Sequence, residues 1–155
     1  MSNQVYCSYE SIKCTAKKAE LVFTLLAASS KIERRFDRVL SGIRGVSFTE
    51  YFLLKRLKEQ PNHSATRVDL AAAVHLTPSA VTRALKPLEK TGYVVSQKSD
   101  RDARQSIASL TKAGEELLSD ADSLIADEIS VFSLPASESK SLTTVLNGLI
   151  AQRFG

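Results

Sequence analysis

The sequence predicts a mainly α protein of the α+β kind. A pair of tightly joined helices is followed at once by a short β-hairpin, and long helices flank both. Three observations predict it. Thr77-Pro78 opens a helix just after another ends, two β-prone runs at 93–98 and 105–110 bracket a charged stretch, and apolar residues recur at helical spacing on either side of this centre. A helix-turn-helix followed directly by a hairpin is a winged helix-turn-helix, here with long terminal dimerisation helices.

The 155 residues suit one compact domain with a real core. The apolar share of 43% and charged share of 25% are ordinary for a globular chain. No run of about 18 apolar residues exists, so no membrane span is expected. The start, "MSNQVYCSYESIKC", is too polar for a secretory leader, and the expected location is cytoplasmic. Cys7 and Cys14 are too few for a disulfide framework. Neither has metal-ligand spacing to His63 or His75, so no metal and no cofactor is expected.

Charge is distributed unevenly. Residues 1–65 carry 11 Lys/Arg against 6 Asp/Glu, residues 66–112 carry 8 against 4, and residues 113–155 carry 2 against 7, giving +5, +4 and −5. A basic front and an acidic tail point to an anionic partner for the first two-thirds, although a basic face is often merely solvated.

The elements follow in order. Val22, Leu25, Leu26, Ser29, Ile32, Phe36, Val39 and Leu40 set a helical stripe from about Ala16 to Leu40, which Gly42 ends; Lys31, Arg34, Arg35 and Arg38 lie on its polar side. Ser47 and Glu50 form a capping box before a helix from about Phe48 to Glu59, stopped by Pro61. Thr66 begins a short helix, "RVDLAAAV". His75 falls in the turn that follows, where a residue tolerant of left-handed backbone is useful.

Thr77 caps the next helix, with Pro78 at its first position. Val81, Leu85 and Leu88 face inward, and Ser79, Thr82, Arg83 and Lys86 outward. Pro87 removes one helical hydrogen bond, so the helix is expected to bend or end early there. Gly92 suits its exit. The hairpin has Ser99–Arg104 as its tip and Tyr93 packing at its edge.

Thr111 caps a fifth helix with a broad apolar face: Leu117, Leu118, Ala121, Leu124, Ile125, Ile129 and Phe132. Pro135 separates it from a sixth, where Leu142, Val145, Leu146, Leu149 and Ile150 repeat. The winged region, residues 46–112, needs only part of this apolar surface. A second copy of the chain is the simplest cover for the flanking regions, 1–45 and 113–155, the alternative being an internal three-helix layer.

Residues 69–114, "DLAAAVHLTPSAVTRALKPLEKTGYVVSQKSDRDARQSIASLTKAG", resemble the core of the MarR family of transcriptional regulators. The likeness lies in the helix-turn-helix spacing, the "LEKTGYV" exit, the D-x-R-D-x-R-like wing and the "LTKAG" that opens the next helix. "GVSFTEYFLLKRL" extends it forward, and the total length fits. One departure is Ser99, which stands where the wing pattern begins with Asp; the Asp is moved to Asp100.

The resemblance implies a homodimeric repressor whose two winged lobes bind a palindromic duplex DNA operator, often relieved by a small-molecule inducer or an oxidant. By spacing, Arg101 matches a wing-tip arginine that enters a minor groove, where the negative potential favours a guanidinium. Asp102 and Arg104 are assigned as an ion pair bracing the wing. On the recognition helix Arg83 is assigned to base reading, Ser79 and Thr82 to bases or phosphates, and Lys86 and Arg67 to phosphates.

Two alternatives remain at this stage. A winged helix can serve protein–protein contact, though an acidic recognition helix would suit that better than this basic one. Cys7 or Cys14 would make an oxidant sensor if held as a thiolate, and Lys13, Lys17 and Lys18 surround Cys14. An enzyme is not expected: there is no Ser/His/Asp or Cys/His set, no glycine-rich phosphate loop and no spaced carboxylate pair.

Overall fold

The computed structural model describes residues 9–43, 45–98, 106–133 and 135–152, with the side chains of 9–15 outside the description. Six helices and three strands run in the order α1 (Tyr9–Leu40), α2 (Phe48–Lys58), β1 (Ser64–Thr66), α3 (Arg67–Val74), α4 (Pro78–Lys90), β2 (Val94–Lys98), β3 (Ser106–Leu110), α5 (Lys112–Ser130) and α6 (Ala136–Ala151), with a 3-10 turn at Pro61–His63 before β1. The sheet is antiparallel in the order β1-β3-β2, with Val94 opposite Leu110 and Ala65 opposite Ala108. This is the winged helix-turn-helix that the sequence predicts.

Local chemistry sets the boundaries. Ser47 Oγ accepts from the Glu50 amide while Glu50 accepts from the Ser47 amide, so the capping box closes. The Phe48 amide donates to Asp37 Oδ1 at 2.6 Å, so α1 also helps to cap α2. Thr66, Thr77 and Thr111 cap α3, α4 and α5 through their hydroxyls. His75 ends α3 at φ 54°, ψ 36°, the left-handed geometry expected of that turn.

Three expectations are corrected. The first helix begins at Tyr9, seven residues before the apolar stripe that announced it. A three-residue strand, β1, joins the hairpin and makes the sheet three-stranded. The recognition helix does not end at Pro87 but continues to Lys90. Leu85 and Leu88, both buried, anchor the backbone on either side of the proline, and Thr91 Oγ1 donates to the Pro87 and Leu88 carbonyls to close the last turn.

α2 is the centre of the lobe. Its Leu53, Leu54 and Leu57 are fully buried, and it packs against α1, α3, α4, α5, β1 and β3. Among the described residues no polar or charged side chain is buried. A half-exposed polar knot binds α2 to α5: Tyr51 Oη and Lys55 Nζ each donate to Asp122 Oδ1 at 2.7 Å. Burial pushes the Asp122 carboxyl upward, but the hydrogen bonds from Lys55 and Tyr51 prevail and hold it below the ordinary range. Burial and the Asp122 carboxylate raise the Tyr51 phenol.

The wing is locked to α5 at one junction. Thr111 donates its amide to the Tyr93 carbonyl at 3.1 Å and its hydroxyl to the Gly92 carbonyl at 2.8 Å. Gly114, one turn into α5, faces the same carbonyl: a Cβ there would lie 2.3 Å from Tyr93 O and 2.7 Å from the Leu110 side chain. Tyr93 itself is buried, as an edge-packing residue should be. Gly114→Ala is therefore expected to destabilise the fold by about 1–3 kcal/mol, because the backbone it meets has no room to retreat. Urea denaturation checks this, and an unchanged midpoint would contradict the contact.

Candidate nucleic-acid interface

The recognition helix α4 has one apolar and one polar side. Val81, Leu85 and Leu88 are buried against the lobe, which turns Ser79, Arg83 and Lys86 outward and exposed. Thr82 is half-buried, and its hydroxyl donates to the Pro78 carbonyl at 2.8 Å, leaving its oxygen able to accept one bond from outside. Arg83 and Lys86 have no ion-pair partner among the described residues. Lys90, at the end of the same helix, and Lys98, at the outer end of β2, are exposed as well.

Arg67 sits differently from its neighbours. Its Nη2 donates to Glu89 Oε1 at 3.0 Å and reaches Ser96 Oγ at 3.4 Å, while the Ser96 hydroxyl also donates to Glu89. One guanidinium thus ties the start of α3, the last turn of α4 and the middle of β2. Its Nε is enclosed without a partner, so the group is fixed rather than waving in solvent. Glu89 and Ser96 were not singled out from the sequence, where they lie 22 and 29 residues from Arg67. The only hint was an acid on an otherwise basic helix end.

The wing-tip residues Arg101, Asp102 and Arg104 lie outside the described residues, and so does Cys7; Cys14 lies on α1 with its side chain outside the description. Among the described residues no group of His, Cys, Asp or Glu is arranged to hold a metal, and no helix is long and apolar enough to cross a membrane.

Two bonded helices presenting an unpaired cationic face beside a β-wing define a winged helix-turn-helix protein of the DNA-binding class. Residues 46–106 match the sequence model of the MarR family, a segment that spans α2 to the start of β3. Over 138 residues the chain is 25% identical to the HTH-type transcriptional regulator SarZ of Staphylococcus epidermidis, covering 87% of this chain and 89% of that one. Its fold is similar to Sco3205, a MarR family transcriptional regulator from Streptomyces coelicolor crystallised in complex with DNA (TM-score 0.76, 26% identity, 96% of this chain and 91% of that one). It is also similar to CouR from Rhodococcus jostii RHA1 bound to p-coumaroyl-CoA (TM-score 0.74, 21% identity, 87% and 94%). Its winged segment thus carries the sequence pattern of the MarR family, and over most of its length the chain is similar to DNA-binding transcriptional regulators of that family.

The Arg67 clasp yields a direct expectation. In a double-mutant cycle, Arg67→Ala and Glu89→Ala should couple by about 1 kcal/mol in unfolding free energy, as partly buried charge pairs with a shared hydroxyl do. Additive effects would mean that the pair does not hold α3 to α4.

Proposed function

We propose that this chain is a homodimeric repressor whose two lobes bind a palindromic duplex, with release by a small-molecule inducer. The observation that carries the DNA half is the exposed, unpaired Arg83–Lys86 face of α4 beside the wing. Residues 46–112 form the DNA-binding region, and 1–45 with 113–155 the dimerisation region, in a cytoplasmic protein. The apolar side chains that α1 and α6 leave exposed, among them Phe23, Leu26, Leu142, Val145 and Ile150, support a second copy as their cover.

In this reading Arg83 reads a base edge, with a bidentate fit to guanine. Ser79 and Thr82 touch bases or phosphates nearby. Lys86 neutralises backbone phosphate, joined by Arg67 while it keeps its clasp on Glu89. Arg101 enters the minor groove, and Asp102 with Arg104 braces the wing that carries it. An inducer has room between α1 and α6, where Leu25, Ile32, Phe48, Leu146 and Leu149 are among the walls of a cavity of about 520 Å³. That CouR, of similar fold, is bound to p-coumaroyl-CoA supports a small-molecule ligand for this chain.

Binding titrations on a duplex enriched from random fragments, and on a scrambled one, test the reading. Arg83→Ala should cost about 1–3 kcal/mol per half-site and relax preference at one position of each. Arg101→Ala should weaken both duplexes and flatten a log–log salt slope of roughly −5 to −10. Asp102→Ala should also weaken binding, through a looser wing. Tighter binding by Asp102→Ala would refute its bracing role, and wild-type binding by Arg101→Ala would make the wing a solvated hairpin.

A further inference from the structure

α1 carries a second feature on a stripe separate from its apolar one. Lys31, Arg34, Arg35 and Arg38 repeat at i, i+3, i+4 and i+7 and line a cleft of about 440 Å³, with Val39 and Glu128 of α5 completing it. Glu128 is taken up by Arg35, whose guanidinium also lies 5.6 Å from the centre of the Phe132 ring. Lys31, Arg34 and Arg38 have no ion-pair partner among the described residues. The neighbouring acids on α1 are engaged elsewhere: Asp37 accepts from the Phe48 amide, and Glu33 from Ser29.

Three like charges without a partner among the described residues, Lys31, Arg34 and Arg38 at i, i+3 and i+7, oppose the helix that bears them. A bound anion removes that repulsion, and arginines suit phosphate because their planar forks donate in pairs. The rise from Lys31 to Arg38 is about 10 Å, more than one phosphate group spans. The cleft also lies away from the DNA-reading surface. Glu128 is fourteen residues along α5 from Gly114 at the base of the wing, about 21 Å. Moreover, α1 packs on α2 and α5, whereas α4 packs on α2, α3 and β2.

We propose that this α1–α5 cleft binds a small molecule bearing a di- or triphosphate chain. Lys31, Arg34 and Arg38 contact the phosphates, Arg35 is held in place by Glu128 and Phe132, and Val39 offers an apolar wall to the organic remainder. The site is separate from both the recognition helix and the α1–α6 cavity, and it holds whether or not the repressor reading does.

Calorimetric titration of the full chain with inorganic tripolyphosphate tests it. The expected result is saturable binding with one site per chain, weakened about tenfold or more by the double variant Arg34→Gln/Arg38→Gln and unchanged by the control Lys140→Gln, which removes one cation from α6. Far-ultraviolet circular dichroism verifies that the double variant keeps its helix. Glu128→Gln, which removes the one carboxylate of the cleft, should tighten binding, so the proposal remains testable if the double variant misfolds. Absence of saturable binding, an unaffected folded double variant, or weaker binding by Glu128→Gln would overturn the proposal. So would loss of tripolyphosphate binding in Arg83→Ala, which would put the anion on the recognition helix.

Discussion

Apolar surface has to be covered, and α6 leaves it bare. This helix has sixteen residues and buries none of its side chains, with Leu142, Val145 and Ile150 each about half or more exposed at 47%, 55% and 59%. Helices of that length are marginal in water without tertiary packing. The middle of α1 is in the same condition, with Leu21, Val22, Phe23 and Leu26 exposed. A second copy of the chain meets this demand in our account. Obligate interfaces of the kind bury upward of about 2,000 Å² and resemble a domain core cut in two.

Below that surface the lobe is tightly specified. α5 is one continuous helix that joins the two ends of the molecule. Its first turn is pressed onto the wing through Thr111 and Gly114, its middle is tied to α2 through Asp122, and its later turns meet α1 at Glu128. His63 Nδ1 lies 2.6 Å from Glu115 Oε1, adding the turn before β1 to the same scaffold. Recognition helix and wing are held to each other by Arg67, Glu89 and Ser96, so the two parts that face DNA in our account share one frame.

Much of this was legible in the sequence because it depends on neighbours a few residues apart. Ser47 with Glu50, Thr77 with Pro78, His75 in its left-handed turn and Thr111 before α5 are local signals, and each took the expected geometry. What was hidden depends on distance or brevity. β1 has three residues, too few for an alternating pattern to register, and it is a strand only because β3 lies beside it. The start of α1 is a polar run with no periodic stripe. Pro87 signals a break by local rules, which the burial of Leu85 and Leu88 overrides. For the interface, the outward face of α4 was readable from its helical period, whereas the engagement of Arg67 needed three elements brought together by the fold.

Sedimentation equilibrium of the full chain at micromolar concentration, alone and with a duplex carrying the enriched sequence, tests the central claim most directly. The account predicts a species of twice the 16.9 kDa chain mass in free solution and two chains on each duplex. A single-chain species in both conditions would contradict it.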